Sequence, residues 1–207
     1  MLITLEGPEG SGKSVQSRLL IERLRQRGRP TLHTHEPGGT PLGDHLRQLL
    51  LLRDDLTVEP RAEALMMNAS RAQLVEQVIR PALERGEVVV CDRFADSTLA
   101  YQGAGRGLDE VELRSVISFA TAGVKPDMSI LLDVPVEVGL ARKHAGDGWN
   151  RFEAETLAFH ERVRAAYLRL AGEESDRWQC FSGERPVDAL AEDIWRAVAS
   201  RLDLELE

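Results

Sequence analysis

The 207-residue chain is 43% hydrophobic and 29% charged, an ordinary soluble composition, and it carries a formal net charge of −8 at pH 7. No apolar run approaches the about 20 residues that span a bilayer, and the N-terminus has no cationic leader region or cleavage site, so a cytoplasmic protein is expected, off the membrane. The acidic balance argues against a broad nucleic-acid surface, and two cysteines, Cys91 and Cys180, are too few for a disulfide framework.

Apolar runs alternate with helix-forming stretches along the whole chain, the pattern of an α/β protein with a parallel sheet. Five strands are predicted, over Leu2–Glu6, Thr31–Glu36, Val88–Asp92, Met128–Val134 and Trp178–Ser182. Between the first two, Val15 to Arg27 suits a helix that Gly28 and Pro30 stop. Thr40 followed by Pro41 opens a short helix through Leu52 as N-cap and first helical residue. Pro60 to Ile79 reads as a long helix, which Pro81 kinks or restarts before Gly86 ends it. Asp109-Glu110-Val111-Glu112 resembles a capping box for a helix through Thr121. Phe159, Val163, Ala166, Tyr167 and Leu170 share one helical face, as do Val187, Leu190, Ala191, Ile194 and Val198 near the end. Without repeats, low-complexity segments or a break in composition, residues 1–207 are expected to form one domain.

Chemistry enters at the first strand. Leu2-Ile3-Thr4-Leu5 runs into Gly7-Pro8-Glu9-Gly10-Ser11-Gly12-Lys13-Ser14, which matches G-x-x-x-x-G-K-[ST]. Glycines let successive backbone N–H groups turn inward around a polyphosphate without Cβ clashes. Lys13 is placed to reach the outer phosphates and the Ser14 hydroxyl to ligate Mg²⁺, while the following helix presents its positive end to the same anion. The segment therefore predicts binding of a nucleoside triphosphate. The run Val88-Val89-Val90-Cys91-Asp92-Arg93 delivers an acid at a strand end beside that loop. Asp92 is suited to hold the Mg²⁺ water shell or to orient an acceptor, and Arg93 to hold a second phosphate. Glu36-Pro37-Gly38-Gly39-Thr40 suits either a plain turn or a close backbone approach to a ligand. Arg71 lies mid-helix among Met66, Met67, Asn68, Ala69 and Gln73, surroundings more apolar than a solvated face.

These segments, with Ala69-Ser70-Arg71-Ala72-Gln73, Asp92 to Gly103 (D-R-F-A-D-S-T-L-A-Y-Q-G) and Leu131-Leu132-Asp133-Val134-Pro135, occur in an order that resembles the bacterial thymidylate kinases over essentially the whole chain. The resemblance implies a doubly wound five-stranded parallel sheet flanked by helices with a short lid, a homodimer, and ATP- and Mg²⁺-dependent phosphorylation of dTMP to dTDP. It assigns Lys13 and Ser14 to ATP phosphate and Mg²⁺, Asp92 to the transferring phosphate, and Glu9 to the neighbourhood of the acceptor deoxyribose. Arg93 grips the acceptor phosphate, with Glu36, Pro37 and Arg47 lining that end. Arg71 contacts the thymine edge, Ser97, Thr98 and Gln102 lie near base and phosphate, and Tyr101 packs on the deoxyribose, disfavouring a ribose 2′-hydroxyl. Met67 stands where many relatives stack an aromatic ring, and its thioether can still cover a base.

Transfer between two anions needs a cation on the migrating group. Lys13 is the only basic residue of the phosphate loop, so the cation is expected from a lid over about 141–153, in which Gly146 and Gly148 give hinge-like freedom. Arg142 comes first and Arg151 second, with Lys143 in reserve; Arg142 alternatively stacks on adenine. The ATP base is expected between the lid and the loop Gly183–Pro186, which contains Arg185. His33 and His35 share a strand face without a third ligand, so zinc is not expected. Trp149, Trp178 and Trp195 read as packing or lid anchors rather than as platforms for nucleic acid. The competing functions are a kinase for another nucleotide or a deoxynucleoside, and a catalytically silent ATP-binding module.

Overall fold

The computed structural model describes residues 1–53, 55–145 and 151–205. Its centre is a parallel sheet of β1 (Leu2–Glu6), β2 (Thr31–His35), β3 (Val88–Asp92), β4 (Met128–Asp133) and β5 (Trp178–Ser182), in the order β2-β3-β1-β4-β5. The predicted strands are all present; β2 and β4 each stop one residue short of the sequence reading. Composition explains the order. β1, β3 and β4 are apolar on both faces and almost wholly buried, as inner strands of a parallel sheet must be. β2 (TLHTH) and β5 (WQCFS) are mixed and partly exposed, and they form the edges.

Side chains alternate across the sheet. Ile3, Leu5, Val88, Val90, Ile130 and Leu132 face a layer containing α1 (Lys13–Gln26) and α9 (Val187–Arg201), sealed by Leu20, Leu24, Ile194, Trp195 and Val198. Leu2, Val89 and Cys91 face the opposite layer, against Leu74, Val75 and Ile79. On that same side Leu131 joins a cluster with Phe159, Val163 and Tyr167 of α8 (Leu157–Glu173).

Local chemistry sets the helix ends. Thr40 accepts a hydrogen bond from the Gly43 amide at 3.0 Å and starts α2 (Pro41–Leu51), and Asp109 caps α6 (Glu110–Thr121) through the Glu112 amide at 2.9 Å. Pro81 lacks the N–H that would continue the ladder of α3 (Pro60–Leu74). The chain answers with a π-turn, Val75–Ile79, in which the Arg80 amide reaches back to the Val75 carbonyl, before α4 (Arg80–Glu84) resumes.

Two helical segments go beyond the sequence reading. Ala95–Thr98 forms a short helix, α5, that continues as a second π-turn, Leu99–Gly105, and Val136–His144 forms α7. α7 lies directly on the phosphate loop: a Cβ on Gly10 would overlap the Gly139 carbonyl, and one on Gly139 would overlap the Glu9 carbonyl. The expected lid therefore divides. Residues 141–144 end α7, 151–153 lie in a turn, and Gly146, Gly148 and Trp149 fall outside the described residues. No helix among the described residues is long and apolar enough to cross a membrane.

Candidate active site

The carboxyl ends of three adjacent strands are stitched together. The Arg93 amide donates to the Leu5 carbonyl at 3.0 Å, and the Glu36 amide to the Asp92 carbonyl at 3.0 Å. The segments that follow thereby contribute Glu9–Ser14, Arg93 and Ser97, and Glu36 and Pro37 to the wall of one cleft of about 430 Å³, while Gly7 and Pro8 lie behind it. It is lined by seventeen of the residues predicted from sequence: Glu9, Gly10, Ser11, Gly12, Lys13, Ser14, Glu36, Pro37, Arg47, Met67, Arg71, Asp92, Arg93, Ser97, Thr98, Tyr101 and Gln102.

At one end is the phosphate loop. Gly12, with φ of 95°, turns the chain into α1, whose first N–H groups have no side-chain cap among the described residues. Lys13 folds its ammonium onto the Gly7 carbonyl (3.1 Å), the Pro8 carbonyl (2.8 Å) and Ser11 Oγ (3.1 Å). Burial, with the Arg93 charge nearby, brings its pKa down to about 8 despite Glu9 and Asp92. The Ser14 hydroxyl donates to Asp92 Oδ2 at 2.7 Å, which joins the loop to β3.

In the middle, Arg93 adopts a left-handed backbone, φ 66°, that turns its side chain back under the loop. Its guanidinium donates to Glu9 Oε1 (2.9 Å), the Tyr101 hydroxyl (3.0 Å), the Tyr167 hydroxyl (3.0 Å) and the Gly7 carbonyl (3.0 Å). Burial pushes the Glu9 carboxyl up, but Arg93, Lys13 and the Tyr101 hydroxyl outweigh it and hold the group at about 2. Beneath them Glu6, fully buried at the end of β1, accepts from the Phe94 amide (2.8 Å) and from the Ser97 (2.6 Å) and Tyr167 (3.1 Å) hydroxyls. Burial, reinforced by Asp96, pushes its carboxyl well above the ordinary range.

At the far end Arg71, 2% exposed, donates through Nε and Nη2 to Glu36 Oε2 (2.9 and 2.6 Å) and to the Phe94 carbonyl (3.1 Å). Nη1 reaches Asn68 Oδ1 (2.8 Å) and Thr98 Oγ1 (3.0 Å). All five of its donors are used within the protein. Arg47 donates to the Pro37 carbonyl at 3.0 Å, and Met67 covers the wall between.

The arginines predicted for the lid part company. Arg142 sits over the phosphate loop, donating to the Gly183 carbonyl (2.8 Å) and the Gly10 carbonyl (3.4 Å), but it does not line the cleft. Arg151 instead donates to Glu63 Oε2 at 2.9 Å, below the base end of the cleft, and does not line it. Arg185 pairs with Asp193 and lies outside the cleft wall. Lys143, the reserve, lines the cleft and pairs with Glu153 at 3.0 Å. The sequence reading misses Phe152, whose ring meets Tyr101 edge-on at 5.7 Å between centroids, and also Glu63 and Tyr167. Phe152 borders the basic lid run in sequence, which hides it; Glu63 and Tyr167 look like ordinary helix residues until the tertiary fold supplies their partners. His33 and His35 both line the cleft, and no cluster of three or more His, Cys, Asp or Glu suited to a metal occurs among the described residues.

The thymidylate kinase family model matches residues 5–194. The chain belongs to that family. A thymidylate kinase of Thermomicrobium roseum is 52% identical over 197 residues, covering 95% of this chain and 93% of its own length. The Deinococcus radiodurans thymidylate kinase is 48% identical over 201 residues, 97% of each chain. Among solved structures, the thymidylate kinase of Ehrlichia chaffeensis superposes with a TM-score of 0.80 at 28% identity, over 96% of this chain and 98% of that one. The family's five-stranded parallel sheet flanked by helices is thus the fold of this member too.

Lys13 carries a consequence for pH. With its folded pKa near 8, the free protein loses the ammonium charge above that pH, while a bound polyphosphate restores it. ATP binding is therefore expected to weaken as pH rises from 7.5 to 9.5 and to take up a proton above pH 8. Calorimetry in two buffers of different ionisation enthalpy measures both effects, and Lys13→Met should abolish the proton uptake.

Proposed function

We propose that this kinase holds both substrates in the one cleft, ATP along the phosphate loop and dTMP between Arg93 and Arg71, and transfers the γ-phosphoryl group to give dTDP and ADP. Family membership supplies the reaction, ATP-dependent phosphorylation of dTMP. The observation that carries the residue assignment is the placement of Arg93 beside the phosphate loop, with its guanidinium next to Lys13's end of the cleft and Met67, Arg71 and Gln102 beyond it. A cation at that point suits an acceptor that is itself a phosphate.

Catalysis on this reading is positioning and electrostatics. Lys13 exchanges the Gly7 and Pro8 carbonyls for the outer ATP phosphates. Arg93 holds the acceptor phosphate, and the ionised Glu9, fixed by Arg93 and the Tyr101 hydroxyl, faces the deoxyribose. The Tyr101 ring closes on the sugar. Arg47 and Pro37 border the acceptor phosphate end, and Glu36 anchors Arg71 for the thymine edge, alongside Thr98 and Ser97. Arg142 is the arginine seated at the phosphate loop, and we assign it the charge on the migrating group.

Mg²⁺ fits the donor set: Ser14 Oγ and an Asp92 oxygen, 2.7 Å apart, are hard ligands at the loop end, and Mg²⁺ sites of kinases commonly use one or two protein oxygens with substrate phosphates. Bound there, the ion would neutralise phosphate charge.

Three broader readings accompany this one. A single sheet that draws helices from both ends of the sequence supports one domain over 1–207. Free thiols at Cys91 and Cys180, with ATP and dTMP as substrates, support a cytoplasmic setting. α3 and α6 pack together and leave Leu65 (58% exposed), Val111 (74%) and Phe119 (89%) uncovered, which supports a homodimer through that pair of helices.

ADP release from ATP–Mg²⁺ is to be measured with dTMP, dUMP, ribothymidine monophosphate, dCMP and thymidine offered separately. Turnover is expected to be highest among these with dTMP, lower by about tenfold or more with the ribose analogue, and absent with thymidine. ATP binding without turnover on any acceptor would replace the kinase by a silent binding module. Arg142→Ala is expected to lower kcat by about 10²-fold or more; a rise in KM for ATP at constant kcat would reassign Arg142 to adenine. Phe119→Glu should shift the protein from dimer to monomer in light scattering, and a monomeric parent protein would remove that interface.

A further inference from the structure

Glu63 is fully buried in α3, yet it belongs to none of the groups that line the cleft. Its carboxylate is the meeting point of four donors. Oε1 accepts from Gln102 Nε2 (2.9 Å) and Arg106 Nε (3.2 Å); Oε2 accepts from Arg106 Nη2 (3.1 Å) and Arg151 Nη2 (2.9 Å). Arg106 is held further by Glu155 at 2.5 Å. Glu63 forms ion pairs with two arginines, Arg106 at 3.1 Å and Arg151 at 2.9 Å, and a carboxylate in an ion pair only accepts hydrogen bonds. Gln102 can therefore face Glu63 only with its NH₂ group, and its carbonyl oxygen is the amide atom left to the cleft.

That matters for the base. Thymine presents an N3–H donor, whereas cytosine presents an N3 acceptor. A carbonyl fixed toward the cleft pairs with the first and opposes the second. We propose that Glu63 is a positioning residue for base selectivity: it locks the Gln102 amide with its acceptor toward the base edge, so that the cleft favours thymine over cytosine. The proposal rests on the dTMP reading above. It also ties base recognition to the segment that contains Arg151 and Glu155, since the same carboxylate serves both.

Glu63→Gln tests it. The arginine donors keep the one remaining oxygen at the Oε2 position, where two of them converge, which puts the new NH₂ opposite Gln102 and turns that amide round. Dissociation constants for dTMP and dCMP, with kcat/KM for each, give the selectivity ratio. The ratio is expected to fall by about tenfold or more, one base hydrogen bond's worth, through weaker dTMP binding, with ATP affinity unchanged. In a Gln102→Met background, where the ratio is already reduced, Glu63→Gln should have no further effect on it. A ratio within twofold of the parent, or an equal drop in the Gln102→Met background, overturns the proposal, because a merely structural Glu63 would lower stability without acting through Gln102. If Glu63→Gln alone does not fold, Glu63→Gln/Arg151→Met restores the local charge balance and is held to the same ratio. A parent protein that does not turn over dTMP defeats the substrate reading itself, whereas a parent selective for dTMP with an unchanged variant ratio defeats only the role of Glu63.

Discussion

The parallel pairing of β1 with β3 is the constraint on which the site depends. Leu5 lies opposite Asp92, so the two strands release their chains at the same height. One becomes the phosphate loop, the other Asp92 and Arg93. The Ser14–Asp92 and Arg93–Gly7 hydrogen bonds follow from that register, and so does the depth at which Arg93 meets Glu9. A slip of one residue would turn Val90 and Asp92 to the wrong faces and separate these groups. Pairing of β2 with β3 extends the same logic, setting His35 beside Asp92 and delivering Glu36 within reach of Arg71.

A chain with net charge −8 that binds two anions must create a local reversal of sign. On the proposed reading it does so by holding each cation on protein acceptors that substrate oxygens would relieve. Lys13 rests on carbonyls, Arg93 on Glu9 and four neutral oxygens, and Arg142 on carbonyls. Buried charge without such partners would cost several kcal/mol per ion. Arg71 and Glu63 are different in kind. Several protein partners hold each of them in place, Glu36, Asn68, Thr98 and the Phe94 carbonyl for Arg71, and Gln102, Arg106 and Arg151 for Glu63.

Much of this was legible in the chain. Strands came from continuous apolar runs, helix starts from Thr40, Pro41 and Asp109, and the cleft from the phosphate-loop spelling with Asp92-Arg93 at a strand end. What escaped had physical reasons. Ala95–Gly105 is rich in small and polar residues whose burial comes from neighbours rather than from an amphipathic stripe, and its π-turn breaks the 3.6 period. α7 has only Val136 and Gly139 buried, too little pattern to announce a helix. Arg151 looked like a free lid cation because its partner, Glu63, lies 88 positions away in sequence. Long-range ion pairs leave no local trace.

The face-to-face glycines of α7 and the phosphate loop set how the two move. With Gly139 and Gly10 in backbone contact, neither can advance without displacing the other. Any reshaping of the loop at Gly10 must therefore move α7, the helix that carries Arg142. The phosphate loop thus has a mechanical handle on α7, one that a single methyl group at either glycine would jam.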